Sequence, residues 1–202
     1  MWLWRKGLFG CYRVFNGMNI VLIGMSGSGK STFGSFVANL MKVPFIDTDA
    51  NISEKFGDIN LIFNSGGEKF FREVEQLECI SAAKQKDCVI ATGGGVVLNP
   101  VAMTALKKTG LIVYLNLTAD NLYDRLKDGY ERPLLSGDNL LEKIREMHQR
   151  RKGLYLGYAD IILDPVGIEQ SRNLTKSPLA DRLGALYVEL VSAFERKIYT
   201  KK

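Results

Sequence analysis

The chain has 202 residues, 46% hydrophobic and 24% charged, with three cysteines, one histidine and a formal net charge of +5. That size and balance suit one soluble globular domain with its own core and exclude a disordered chain, and no apolar run approaches the ~18 residues that cross a bilayer. The positive excess belongs to the ends: Arg5, Lys6 and Arg13 precede residue 18, and Arg196, Lys197, Lys201 and Lys202 close the chain, which leaves residues 18–195 with 20 basic against 22 acidic groups and argues against a nucleic-acid surface.

Residues 1–17 interleave Trp2, Trp4, Phe9, Tyr12 and Phe15 with three basic residues. The segment is too short and interrupted for a secretory signal and is not serine-rich like a transit peptide. It reads as an extension to a domain that starts at Met18, with a membrane-touching segment as the second reading. Cys11, Cys79 and Cys88 show no C-x-x-C spacing, so free thiols in a reducing cytoplasm are expected, Cys88 as a small core residue. A single histidine, His148, excludes a histidine-based zinc site; it falls in a charged helical stretch and reads as part of a solvated face.

The apolar run Ile20–Ile23 reads as a short buried strand, and Phe33, Phe36, Val37 and Leu40 mark a helix over Thr32–Met41. Between them stands Gly24-Met25-Ser26-Gly27-Ser28-Gly29-Lys30-Ser31-Thr32, a G-x-x-x-x-G-K-[ST] loop in the setting that gives the pattern meaning. The glycines let backbone N–H groups curl around phosphate oxygens, and the helix N-terminus favours an anion. Lys30 reaches the outer phosphates and the Ser31 hydroxyl is suited to Mg²⁺. The loop implies a bound nucleoside triphosphate.

A second strand, Val43–Ile46, runs into Asp47-Thr48-Asp49. On an extended end the two carboxylates face the same way, one toward a metal and one toward an acceptor hydroxyl. The alternative is that either one caps a helix beginning near Ile52. Helix Gly67–Lys84 follows, with Phe71, Val74, Leu77 and Ile80 as its stripe and Arg72 off that stripe. Strand Val89–Ala91 leads into Gly93-Gly94-Gly95, where a ligand can approach the backbone closely. This third strand carries no terminal aspartate, so a metal would depend on Ser31, the triphosphate and Asp47.

Helix Pro100–Lys107, strand Leu111–Leu115, helix Asn139–Arg151 and strand Ile161–Leu163 continue the alternation. Arg132 sits in Tyr130–Leu135 between Gly129 and Gly137, which read as hinges of a mobile lid at roughly 125–140; Arg125 lies on the approach. Ser177-Pro178 caps a last helix with the stripe Leu179, Leu183, Leu186, Leu190 and Phe194. The expected fold is α/β: a five-stranded parallel sheet between two helical layers, one domain over 18–202. In such sheets ligands gather beyond the carboxyl ends of the strands, where the phosphate loop, the aspartates and the triple glycine all fall. Arg72, Arg132 and Arg151 would supply the cations that phosphoryl transfer and an anionic acceptor need.

Taken together, Gly24–Thr32, Pro44–Asp49, Ile62-Phe63 through Gly67-Glu68 to Phe71-Arg72, Ile90–Gly95, Arg132-Pro133-Leu134-Leu135, and Arg151 with Leu154-Tyr155 and Ala159-Asp160 resemble the shikimate kinase family. The likeness covers roughly residues 18–165, in order. It implies a P-loop kinase with a mobile lid that phosphorylates the 3-hydroxyl of shikimate, in aromatic amino-acid biosynthesis. Gly27, Ser28, Gly29, Lys30, Ser31 and Thr32 would hold the ATP phosphates, with Ser31 and Asp47 near Mg²⁺. Asp49, Arg72, Gly93, Gly94, Gly95 and Arg151 would bind shikimate, and Arg132 would close over ATP from the lid. The resemblance implies a cytoplasmic monomer with small-molecule partners and no nucleic acid or membrane. It departs after Asp164, where Pro165–Pro178 is longer than the family pattern, so the adenine contacts are not carried over.

Two other classes share parts of this pattern. Another small-metabolite kinase such as a gluconate kinase would have the phosphate loop, but not Asp49, Arg72, the triple glycine and Arg151 together. A non-catalytic nucleotide-binding regulator would be expected to have lost Lys30, Asp47 or Arg132, and all three are present. If residues 1–17 are dispensable, a chain beginning at Met18 keeps full turnover and the same melting temperature. Loss of either on truncation would show that the aromatic segment packs on the domain.

Overall fold

The computed structural model describes residues 17–127 and 139–199. Residues 1–16, and the lid segment with Arg132, lie outside the described residues. Five strands form one sheet: β1 (Asn19–Ile23), β2 (Phe45–Asp47), β3 (Val89–Ala91), β4 (Gly110–Leu115) and β5 (Ile161–Leu163), in the spatial order β2-β3-β1-β4-β5. Every neighbouring pair is parallel. The helices are α1 (Lys30–Met41), α2 (Thr48–Phe56), α3 (Ile59–Ala83), α4 (Pro100–Thr109), α5 (Ala119–Leu126), α6 (Leu140–Tyr158), α7 (Pro165–Ser171) and α8 (Leu179–Tyr199).

The expected three layers are present, and β1 shows why. Its side chains alternate between two separate cores, as strand geometry requires. Val21 and Ile23 join Cys79 of α3, Met103 and Leu106 of α4, and Ile144 and Tyr155 of α6. Ile20 and Leu22 join Phe33 and Val37 of α1 and Leu186, Leu190 and Phe194 of α8. A strand buried on both faces has no room for polar alternation, hence the continuous apolar run. Each such side chain contributes about 1.5–3 kcal/mol relative to exposure. β1 is central, with β3 and β2 on one side and β4 and β5 on the other, so the direction of the connections reverses beside it and a crevice opens beyond its carboxyl end.

Several elements differ from the sequence reading. The second strand is displaced to Phe45–Asp47, and the residues after it are helical. Helix α3 starts at Ile59, earlier than the expected Gly67, which lies inside it with φ 71° and breaks it into two helical pieces. The stripe on α3 is also corrected: Leu77 is 66% exposed. Residues three apart fall about 60° short of a full turn, so a strict three-residue repeat winds off the buried face. The buried line is instead Phe71, Val74, Glu75, Glu78, Cys79 and Ala82, and two of its members are carboxylates. On α8, Leu179 is half-exposed while Leu186, Leu190 and Phe194 are buried as expected. Pro165–Ser171, unrecognised in the sequence, is helix α7, with Asp164 capping the Gly167 amide.

His148 is only partly exposed and does not sit on a freely solvated face. Burial and Lys152 push its pKa below the ordinary imidazole value, against a hydrogen bond with the Leu117 backbone. Cys79 and Cys88 are buried free thiols, and burial pushes the Cys88 thiol up to about 11.

Asp160 ties the β5 edge to the last helix. Its carboxylate accepts from the Ile112 amide at 3.0 Å and from Lys197 Nζ at 2.9 Å. Burial works against the charge, but these donors outweigh it and hold the carboxyl below its usual range. A depressed folded-state pKa stabilises the fold above the unfolded value of about 4, and this contribution disappears as pH falls through the lower folded value. Asp160→Asn is therefore expected to lower the melting temperature at neutral pH, with the gap closing in acid below about pH 4. Melting curves across pH check this; a deficit independent of pH would contradict it.

Candidate active site

The phosphate loop turns directly off the end of β1. Gly27 (φ 80°) and Gly29 (φ 91°) occupy left-handed backbone, and a Cβ on Gly27 would come within 2.9 Å of Leu126. Only glycine takes both the conformation and the space there. Lys30 Nζ donates to the carbonyls of Gly24 and Met25, each at 2.9 Å, so its ammonium lies within the loop's own curve. Arg125 Nη1 donates to the Ser28 carbonyl at 3.3 Å, which brings the end of α5 onto the loop. Burial lowers the Arg125 pKa, with Glu169 opposing.

Asp47 uses its two oxygens differently. Oδ1 caps α2 by accepting from the Asp49 and Ala50 amides at 3.1 Å, while Oδ2 accepts from the Ser31 hydroxyl at 2.5 Å. Asp49 is corrected: it stands in the first turn of α2, not on an extended strand end. Both aspartates nevertheless line one cleft of about 500 Å³ with Ser26, Lys30, Ser31 and Arg125. The Ser31 and Asp47 oxygens are the hard donors that suit Mg²⁺. No group of three or more His, Cys, Asp or Glu suited to a metal occurs among the described residues, so phosphate oxygens and water would complete the shell.

The triple glycine gathers the acceptor side. The Gly93 amide donates to Thr48 Oγ1 at 3.2 Å, and a Cβ on Gly93 would lie 2.5 Å from Glu75 Oε1 and 2.6 Å from Asp49 Oδ1. Gly94 lies against Ser26 of the phosphate loop, where a Cβ would come within 2.9 Å of the Ser26 backbone nitrogen. The Gly94 carbonyl accepts from Arg151 Nη1 at 3.2 Å and from the Tyr155 hydroxyl at 2.5 Å. A Cβ on Gly95 would overlap the Arg72 guanidinium. Arg72 in turn pairs with Glu75 at 2.7 Å and with Glu68 at 3.2 Å. Burial opposes its charge, but the two glutamates outweigh burial and raise its pKa. Burial raises the Glu75 pKa, with Arg72 opposing.

Asp47 and Asp49 line the cleft of the phosphate loop, and Gly93, Gly94 and Gly95 link Asp49, Arg72 and Arg151 to Ser26 at its edge. Arg132 lies outside the described residues. Sequence reasoning missed Glu75, Ser26 and Thr48. Glu75 had a usable signal, a carboxylate on the apolar side of a helix one turn from Arg72; Ser26 and Thr48 had none beyond proximity to motifs.

A phosphate loop at the end of β1, with Asp47, Asp49 and Arg125 in its cleft and the triple glycine beside it touching Arg72, Glu75 and Arg151, marks a P-loop phosphotransferase. The family model for shikimate kinase matches residues 26–177. A shikimate kinase of Dechloromonas aromatica is 41% identical over 147 residues, 72% of this chain and 80% of that protein. The chain belongs to the shikimate kinase family. A shikimate kinase from Acinetobacter baumannii, solved in complex with shikimate, superposes with a TM-score of 0.75 at 30% identity, covering 93% of this chain and 96% of that one. A gluconokinase from Sinorhizobium meliloti shares the fold with a TM-score of 0.56 at 18% identity, covering 93% and 98% of the two chains.

The glycine contacts separate two kinds of damage. Gly95→Ala would press on the end of a flexible arginine, which can move. The expected outcome is a melting temperature within about 2 °C of the parent but at least about tenfold lower kcat/KM for the acceptor, because Arg72 is displaced. Gly94→Ala would press on backbone that cannot step aside, and is expected to lower both. Thermal melts beside steady-state kinetics distinguish the two variants.

Proposed function

We propose that the chain transfers the γ-phosphoryl group of ATP to the 3-hydroxyl of shikimate, giving 3-phosphoshikimate and ADP. The observation that carries this reading is the meeting of the phosphate loop with Arg72, Arg151, Asp49 and the triple glycine in one place, on a chain of this family. A fork of guanidinium donors binds both oxygens of a carboxylate, and two arginines reached from α3 and α6 suit the carboxylate of shikimate. Asp49 would accept from ring hydroxyls and orient the one that attacks.

On the donor side, the loop amides of residues 27–32 would hold the phosphates. Lys30 would leave the Gly24 and Met25 carbonyls for the outer phosphate oxygens, where it offsets charge that develops during transfer. Ser31 and Asp47 would hold Mg²⁺. Bound between those two side chains, it would supply positive charge that offsets the charge of the phosphates. Arg125 would flank the nucleotide from α5, and Arg132 would close over ATP from a lid over roughly 125–140.

A coupled assay of ADP release with Mg²⁺-ATP tests the reading, comparing shikimate, gluconate and no acceptor. Turnover is expected with shikimate alone. Asp49→Ala and Arg151→Ala are each expected to cut it by about 100-fold or more while ATP still binds by calorimetry. Equal turnover with gluconate would move the chain to another small-metabolite kinase, and unchanged kinetics in either variant would overturn that residue's role.

A further inference from the structure

The Gly94 carbonyl oxygen takes two donors from one face of α6. Tyr155 Oη lies at 2.5 Å and Arg151 Nη1 at 3.2 Å. Four residues apart, the two side chains stand one above the other on the helix. Tyr155 is fully buried, and its ring stacks on Tyr114 of β4 with centroids 4.9 Å apart and planes 11° from parallel. A core tyrosine whose hydroxyl is merely satisfied would be the bland account, but two facts set this one apart. Its acceptor is not core backbone; it belongs to the loop where an added Cβ would press on Ser26, Arg72, Glu75 or Asp49. The same carbonyl also anchors Arg151, which is itself 7% exposed.

We propose that Tyr155 is a positioning residue for the acceptor: its hydroxyl fixes the Gly94 carbonyl, and through that carbonyl the orientation in which Arg151 presents its remaining N–H groups. This rests on the reading of Arg151 as a clamp on the acceptor's carboxylate. The stack on Tyr114 gives the strut its stiffness, because a ring held between β4 and α6 cannot follow the loop if the loop moves. A carbonyl oxygen has two lone pairs, and here both are in use. Without the phenol, Gly94 is left to Arg151 alone. The guanidinium is then drawn further toward the loop and away from the anion. The hydroxyl bonds Gly94 and reaches Arg151 through it, whereas the phosphate loop meets Gly94 only on its Cα side, at Ser26, so the larger effect falls on the acceptor.

The test is Tyr155→Phe in the full chain, which keeps the ring, with steady-state kinetics for each substrate and direct binding of shikimate. The expected result is a five- to tenfold rise in shikimate KM and dissociation constant, about the worth of one neutral hydrogen bond, with ATP KM and kcat within about twofold. Tyr114→Phe is the control, since it removes a buried hydroxyl from the same stack without touching the loop; its shikimate KM should not move. In an Arg151→Lys background the effect of Tyr155→Phe should fall below about twofold, because the group being oriented is gone. An unchanged shikimate KM with a lower melting temperature overturns the proposal. So does an equal shift for both substrates, or an undiminished effect beside Arg151→Lys. Failure of the underlying reading looks different: the unaltered chain would then neither bind nor turn over shikimate, and the proposal would fall with it.

Discussion

Three successive residues without side chains at the end of β3 decide how near the two halves of the site can come. At each of the three, a single added carbon would meet a functional group: Glu75 and Asp49 at Gly93, Ser26 at Gly94, Arg72 at Gly95. Bare backbone therefore leaves room for Ser26 of the phosphate loop on one side and Asp49, Glu75 and Arg72 on the other to stand close to the same three residues. For a direct transfer between two bound molecules, such closeness matters more than any one side chain, since misplacement of about 1 Å can cost two orders of magnitude in rate.

The charges around that backbone are not there chiefly to hold the fold. Arg72 and Glu75 make a close pair with little solvent, and desolvation opposes both ionised forms. Pairs of this kind are weak evidence for stability, although removing one partner leaves the other stranded. Their use is positional: Glu75 limits where Arg72 can point, and Arg72 keeps Glu75 in its place. A similar economy holds on the other side, where Ser31 and Asp47 satisfy one another and Lys30 rests on its own loop.

Much of this was legible from the chain because local chemistry and global fold agree at β1. A β-branched run, a glycine turn and an apolar helix stripe all mark the same strand–loop–helix unit. Strands β3 and β5 are legible with their observed limits for a related reason: each is a run of three apolar residues ended by a polar one, Thr92 or Asp164. Asp47 to Phe56 was harder, since an aspartate that ends a strand and one that caps a helix look alike until the amides of residues 49 and 50 are seen pointing at it. The stripe on α3 misled because an apolar count passes over Glu75 and Glu78, which occupy the buried line, and promotes Leu77, which does not. In sequence Arg125 only lies on the approach to the lid; its contact with the Ser28 carbonyl spans nearly a hundred positions and leaves no local trace.

β1 is bonded to β3 along one edge and to β4 along the other, and none of its five residues is more than 1% exposed. Amides so placed exchange with solvent only through the largest openings of a molecule, those approaching full unfolding. The nucleotide loop thus springs from the segment that should be last to lose its protium. Away from that strand, α3 contains a break at Gly67. Exchange is expected to be slowest beneath the phosphate loop and faster at the break in α3.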